Sequence, residues 1–328
     1  MSETGLQVAD IDIVDAYAHV GLPRFQSLAD YELRMRSGGI AAAVLCSFDS
    51  SPDLTAIHDG MARPDGRFRG IGVPLGNDHD ELAASVTGQL AAGFSGIRLS
   101  GTDIAERSWL LGLIAGHGRI PLVCANAGDP ASATVLNDHL DRCPDSRLVL
   151  GHFGGLPEPA ALRSGPVSEL FARPQVSVIF SRQGGYPADR ILPAAERLIE
   201  VCGWQRVLWG SESPVLTWRN ETLGSALAWV ETLAPTAEQR RDFLGGNARR
   251  LFFDSRPDVQ PLDLPFDPAD RAQVIPATIF ANGLGLDQRT VGALLHAWLA
   301  DGEPGTFADY AGGLIDRALK GRGSTSRG

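Results

Sequence analysis

Hydrophobic and polar positions come in blocks along this chain. Eight short runs rich in valine, isoleucine, leucine and phenylalanine fall at 11 to 16 (IDIVDA), 40 to 48 (IAAAVLCSF), 68 to 75 (FRGIGVPL), 95 to 99 (SGIRL), 120 to 126 (IPLVCAN), 147 to 153 (RLVLGHF), 175 to 181 (QVSVIFS) and 206 to 211 (RVLWGS). Continuous apolar runs of this length read as strands buried on both faces. Between them lie stretches whose apolar residues recur at helical spacing, such as SLADYELRMRSGG, DLTAIHDGMARP, DHDELAASVTGQLAAG, DIAERSWLLGLIAGHG, PASATVLNDHLDRCP, EPAALRSGPVSELFAR and ADRILPAAERLIEVCG. Several open on Ser or Asp, whose oxygens accept from the free amides of a first helical turn, and stop at Gly or Pro. This alternation predicts a parallel sheet with crossover helices. Eight repeats predict a (β/α)8 barrel over 11–253, closed by a helix at 219–233 and followed by another at 236–251. A doubly wound open sheet is the alternative, but the turn after the first strand, YAHVGLPR, has no GxGxxG.

After Phe253 the pattern changes. SRPDVQPLDLPFDPADRAQVIP is rich in Pro and Asp and reads as a linker over 254–275 that wraps the barrel. LDQRTVGALLHAWLADG and TFADYAGGLIDRALKG then predict a small helical appendix over 276–321, packed on the barrel or on a second subunit in a homodimer, and 322–328 is expected to be a disordered tail.

Composition narrows the classes. The 328 residues are 44% hydrophobic and 21% charged, values of an ordinary globular protein with a large core. A net charge of −10, with no basic cluster outside the tail at Lys320 to Arg327, argues against nucleic acid as a partner. The first residues lack the basic-then-apolar pattern of an export signal and no apolar run is long enough to span a membrane, so a cytoplasmic protein without membrane contact is expected. Cys46, Cys124, Cys143 and Cys202 lie far apart without a CxxC and read as buried reduced thiols.

In such a barrel the C-terminal ends of the strands converge on one face, where active sites lie. The ends carry Tyr17 and His19 on the first strand, Arg98 on the fourth, Asn126 on the fifth, His152 on the sixth, Ser181 and Arg182 on the seventh and Glu212 on the eighth. A carboxylate between WGS and SP at the mouth of a strand is a poor choice for packing. Together with two imidazoles at equivalent strand ends, it predicts an acid–base site. Trp209 reads as core or pocket wall. His79 reads as solvated, and His58, His117, His139 and His296 receive no role. GSESP lacks the Gly-x-Ser-x-Gly pattern of a nucleophile elbow.

These motifs carry a resemblance. IVDAYAHV, LVLGHFGG, RVLWGSESP and GGNARRLF are similar in type, order and spacing to the I-D-x-H-x-H, H-x-G-G, G-S-D-x-P and G-N-A-x-R-L-F stretches of the amidohydrolase-related family of (β/α)8 hydrolases and decarboxylases, amidohydrolase 2. The resemblance implies a divalent metal held by the first-strand histidines, a fifth-strand histidine and the eighth-strand aspartate. This chain departs at three of those places: Tyr17 replaces the first histidine, Asn126 or Ala125 takes the fifth-strand position, and Glu212 stands for the aspartate. A neutral phenol is a poor ligand for Zn²⁺, and an amide carbonyl suits harder ions. A metal-free site is therefore expected. If Zn, Mn or Fe is bound, His19, His152 and Glu212 are its candidate ligands.

Activated esters and lactones can be hydrolysed without a metal, by a base, an oxyanion partner and a proton donor. The resulting expectation is a lactonase-like hydrolase acting on a small, anionic, carboxylated substrate. Glu212 would be the general base, His19 and His152 would polarise or protonate the carbonyl oxygen, and Tyr17 would be a phenolic donor. Arg98 and Arg182 would grip the carboxylate, with Asn126 and Ser181 also in the substrate site. A metal-dependent decarboxylase or amidohydrolase with an altered ligand set, and a non-catalytic ligand-binding barrel, are the alternatives.

Overall fold

The computed structural model of the chain describes residues 11–22, 24–48, 53–219, 221–256 and 258–268, with isolated positions between 293 and 317. The backbone divides into two compact units, Met1–Ala272 and Gln273–Gly328. In the second unit positions 293, 294, 297, 300, 310, 313, 314 and 317 are helical. The rest of the appendix expected over 276–321, and the tail 322–328, lie outside the described residues.

The first unit is a (β/α)8 barrel. Its strands are β1 (Ile13–Ala18), β2 (Ile40–Cys46), β3 (Phe68–Gly72), β4 (Gly96–Ser100), β5 (Ile120–Cys124), β6 (Leu148–Leu150), β7 (Val176–Phe180) and β8 (Val207–Trp209), paired in parallel in chain order. Each lies within or overlaps a predicted run. The main chain after β8 closes the ring against β1: the Glu212 amide donates to the Tyr17 carbonyl and the His19 amide to the Ser213 carbonyl, both at 2.7 Å. Two segments almost two hundred residues apart therefore end together, because they are neighbours across the closing seam.

Burial on both faces explains the continuous apolar runs. Val14, Ala16, Val44, Ile71, Leu122, Val149, Ile179 and Leu208 fill the barrel interior, while a larger cluster packs the strands against the helices. Each fully buried Val, Ile or Leu contributes about 1.5–3 kcal/mol relative to exposure. Side chains cap the predicted helices as expected: Ser27, Asp53, Asp78 and Asp129 each accept from a first-turn amide of the helices Leu28–Gly38, Leu54–Ala62, His79–Ala91 and Pro130–Arg142.

Other predicted helices are shorter or broken, for identifiable reasons. The stretch 103–118 divides into Gly101–Glu106, started by a Ser100 and Asp103 capping box, and Trp109–Gly116. In EPAALRSGPVSELFAR only Gly165–Ala172 is helical, with proline in its first turn. The helix expected at 219–233 begins after the Thr222 cap as Leu223–Ala228 and tightens to a 3-10 turn at Trp229–Leu233. That expected at 236–251 forms as Ala237–Arg241 and Asn247–Phe252, joined by a π turn at Asp242–Gly246. Here the GGNARRLF motif packs under β1: a Cβ on Gly245 would lie 1.9 Å from the Asp12 carbonyl oxygen, so only glycine fits. The following segment has no strand or α-helix over 258–267 and runs back over the barrel, where the Gln260 carbonyl pairs with His58 at 2.7 Å.

Asp15 secures the seam. Fully buried, it accepts from the amides of Ser211 (2.8 Å) and Tyr17 (3.1 Å) and from the hydroxyls of Tyr31 (2.8 Å) and Ser211. Burial raises its pKa even against these donors. Removing the carboxylate would leave several buried donors without an acceptor, at about 1–3 kcal/mol each. Asp15→Ala is thus expected to lower unfolding stability by about 3 kcal/mol or more in urea titration. A loss below about 1 kcal/mol would show that water replaces the carboxylate and that the seam does not depend on it.

Candidate active site

Tyr17 stands at the centre of the barrel mouth. Strict alternation along β1 would send it to the same side as Asp15, toward the helices. The register with β2 slips between Asp15 and Ala18, and this irregularity turns Ala16 and Tyr17 both inward. Gly210 clears the space, since a Cβ there would lie 2.8 Å from the Tyr17 Cβ. The tyrosine ring meets His19 edge-on at 4.9 Å and His152 edge-on at 5.0 Å between centroids. Its hydroxyl accepts from Arg98 Nε at 3.1 Å and lies 3.4 Å from the Cys124 sulfur. Burial pushes the phenol well above its ordinary pKa, so it is a neutral O–H.

Glu212 is 3% exposed and faces cations. Oε2 accepts from Arg219 at 2.7 Å, while Oε1 is 3.4 Å from Arg182 Nη2 and 3.5 Å from His152 Nε2. Burial alone would raise its pKa, but His152, Arg182 and Arg219 outweigh burial and bring it down to about 2. His152 is oriented through its other nitrogen, Nδ1, by the Ser181 hydroxyl at 2.9 Å. His152, Arg182 and Glu212, at the ends of three successive strands, all have left-handed backbones, with φ of 53°, 68° and 54°. Such conformations cost non-glycine residues about 1–3 kcal/mol and concentrate at functional sites.

His19 joins the cluster in a different capacity from the expected donor. Its Nδ1 lies 2.8 Å from the Cys46 carbonyl, which can only accept, so the ring proton sits there and Nε2 offers a lone pair. Burial lowers its pKa to about 3, so it is neutral at pH 7. The ring stacks on Phe25 at 4.5 Å, Phe25 stacks on Trp218 at 6.1 Å, and Phe48 stands edge-on to His19 at 6.2 Å. Arg98 and Arg24 lie over Phe48, at 4.4 and 4.3 Å from its centroid.

A cavity of about 350 Å³ opens at this face, lined by Cys124, Asn126, His152, Gly155, Arg182 and Tyr186 among others. Asn126 therefore reaches the site, but the inward position at the end of β5 belongs to Cys124, in line with Ile120 and Leu122. The fifth-strand position expected for Asn126 or Ala125 is corrected accordingly. Cys124 differs from the other cysteines in lining this cavity. Burial would raise its pKa, but Arg98 and the neighbouring His152 outweigh burial and bring it to about 7. A second cavity, of about 480 Å³, lies at the opposite end near Arg119, Arg142 and Arg147, where strands begin. Trp209 faces away from the mouth into the helical layer and donates to the Ala226 carbonyl at 3.2 Å.

Sequence reading missed Arg219, Arg24, Cys124 and the aromatic wall. Arg219 had a faint signal: it ends the short 3-10 helix Val215–Arg219 that follows SESP, which brings it back onto Glu212.

The donors do not fit the divalent metal that the motifs imply. Such an ion needs converging imidazole, thiolate or carboxylate lone pairs. Position 17 offers a neutral phenol engaged by Arg98, and the Glu212 oxygens face guanidiniums that would repel a cation. Among the described residues no three His, Cys, Asp or Glu side chains are placed to hold an ion, His19, His152 and Glu212 included.

A family model described as Amidohydrolase matches residues 6–253. Among solved structures, a chain from Pseudomonas putida assigned as a 2-pyrone-4,6-dicarboxylic acid hydrolase aligns with 74% of this chain and 97% of its own, at 24% identity and a TM-score of 0.58. The 2,6-dihydroxybenzoate decarboxylase from Rhizobium covers 74% of this chain and 98% of its own, at 18% identity and a TM-score of 0.55. The 5-carboxyvanillate decarboxylase from Sphingomonas paucimobilis covers 74% and 99%, at 17% identity and a TM-score of 0.54. Likeness at these identities shows the shared barrel. Among curated proteins no sequence matches the chain.

Proposed function

This chain belongs to the amidohydrolase family, and from that premise we propose that it hydrolyses an activated ester or lactone of a small carboxylated molecule without a resident metal. The observation that carries the reading is Glu212, a buried carboxylate set against His152 and guanidiniums beside a cavity of small-molecule size. Arg24, Arg98, Arg182 and Arg219 gather at this mouth, where Arg182 and Arg219 pair with Glu212 and Arg219 also with Glu221. A low-dielectric cleft lined this way attracts anions even on an acidic protein. The dicarboxylic acid named for the Pseudomonas putida chain is of the same chemical type.

In this mechanism a substrate carboxylate takes paired hydrogen bonds from Arg182, and the reacting carbonyl lies over the Tyr17, Cys124 and His152 floor. Glu212 receives the proton of the hydrolytic water as its oxygen bonds to the acyl carbon. Tyr17 and Arg98 stabilise the negative charge that develops on the carbonyl oxygen, and His152, held by Ser181, gives a proton to the leaving oxygen as the C–O bond breaks. Neutral His19 serves as an acceptor and as part of the aromatic wall.

The test is a panel of carboxylated lactones and aryl esters offered to protein dialysed against a chelator. Ring-opened or free acid is expected, with turnover unchanged by chelation. A strict requirement for added Zn, Mn or Fe, release of carbon dioxide instead of ester cleavage, or tight carboxylate binding with no turnover would each overturn the reading. Tyr17→Phe is expected to lower kcat by about ten- to a hundred-fold, the range for loss of one acid or oxyanion donor. Unchanged kcat in steady-state assays would remove the phenol from the mechanism.

A further inference from the structure

Among the described residues Cys124 is the one thiol that reaches the site cavity, and its neighbours are those that would activate it. The Tyr17 hydroxyl is 3.4 Å from its sulfur and is itself held by Arg98. Because Arg98 donates to the phenol oxygen, the phenol proton is free to point at the sulfur. His152 lines the same cavity as the sulfur, its ring edge-on to Tyr17 at 5.0 Å, and Ser181 fixes the imidazole from behind at 2.9 Å. The backbone makes room as well: a Cβ at position 151 would lie 2.7 Å from the sulfur, and the residue there is glycine. A nucleophile next to a base, with the base oriented by a third group, is the usual arrangement for covalent catalysis. Cys46, by contrast, is sealed in the barrel and Cys202 lies in the helical layer.

Building on the hydrolase reading above, we propose that Cys124 is the nucleophile of the reaction, and that the ester is opened through a thioester on its sulfur. The sulfur's proton passes to His152. The sulfur adds to the carbonyl carbon, the C–O bond breaks, and the imidazolium returns the proton to the leaving oxygen. Water, losing its proton to Glu212, then attacks the thioester. The C–S bond breaks, the acid departs and the thiol is restored by that proton. No oxidant, reductant or further reactant enters. The lowered thiol pKa agrees with this role, since the thiolate is the attacking form. Other charged or titratable groups facing the sulfur are Arg98 from β4, Tyr17 from β1 and Cys46 from β2. In this scheme Glu212 acts on the second step, which separates the two residues experimentally.

The experiment uses the full chain and p-nitrophenyl acetate, an activated ester. Wild type is expected to release a burst of p-nitrophenol equal to the enzyme concentration, followed by slower turnover. In Glu212→Gln the burst should remain while turnover stalls, and intact-mass and peptide analysis of acid-quenched protein should find one acetyl group on Cys124. Cys124→Ser and Cys124→Ala, each checked for native circular dichroism, should lose the burst and slow steady turnover by about a hundred-fold or more. Turnover at the wild-type rate in folded Cys124→Ala, or an acetyl group elsewhere than Cys124, would overturn the nucleophile and leave the hydrolase reading intact. An acetyl group on Cys124 in a protein that never releases acid from any ester or lactone would do the reverse. If neither alanine nor serine variant folds, the acetyl position in Glu212→Gln alone decides.

Discussion

Glu212→Gln should lower kcat by about 10²- to 10⁴-fold, the span expected when a general acid–base group is removed, while leaving the substrate carboxylate bound. Gln keeps the shape and one oxygen for Arg219, which donates to Glu212 at 2.7 Å, so the mouth should stay assembled. The carboxylate also has a distinctive pH signature. Its folded pKa is about 2, below the ordinary 4.5, because His152, Arg182 and Arg219 outweigh its burial. A carboxylate depressed in this way stabilises the fold above pH 4.5, and that contribution is lost as pH falls from 4.5 toward 2. For the free enzyme, kcat/KM should therefore show no acid limb from this group near 4.5. Stopped assays from pH 3 upward, beside acid-unfolding curves of both proteins, measure the two effects. A variant with wild-type kcat would falsify the role given to Glu212.

Arg182→Ala is expected to raise KM for a carboxylated substrate by about a hundred-fold and to leave KM for a neutral ester nearly unchanged. Losing a charge-assisted hydrogen bond pair to a ligand costs about 2–4 kcal/mol, and each 1.4 kcal/mol is tenfold. Arg182 suits the task because its side chain is 43% exposed and its contact with Glu212, at 3.4 Å, is looser than that of Arg219 at 2.7 Å. The same substitution has a second readout. Removing a cation beside Glu212 must raise that carboxylate's pKa, so any acid limb moves upward toward the ordinary value. Substrate neutralising Arg182 acts in the same direction, which makes Glu212 a better proton acceptor once the site is filled. An equal rise in KM for neutral and carboxylated esters, with the pH profile unmoved, would place Arg182 outside the binding site.

How much of this site could be read in advance depended on the residue. Tyr17, His19, His152 and Glu212 were legible because each interrupts an apolar run at a strand end with a group that packing does not favour. Their convergence followed from the barrel, whose parallel strands all deliver their ends to one face. Cys124 gave no such interruption. In IPLVCAN every position through Ala125 is small or apolar, since β5 is buried toward the barrel interior and toward the helices alike, so nothing distinguished the inward set Ile120, Leu122 and Cys124 from the outward one. Asn126, as the first amide after the run, drew the assignment instead.

The roles depended on contacts further apart in the chain. That His19 is an acceptor follows from the Cys46 carbonyl at 2.8 Å, and that Tyr17 faces inward follows from a slip in register with β2. Neither partner can be inferred from IVDAYAHV. The order of apolar runs and caps was enough to specify eight strands, their parallel pairing and the face on which chemistry gathers, because those features follow from local periodicity and from the geometry of closing a sheet. Which side chains touch, which nitrogen holds a proton and which cations surround Glu212 were settled by folding, because charge and hydrogen bonding act over a few ångströms between residues that the chain alone holds far apart.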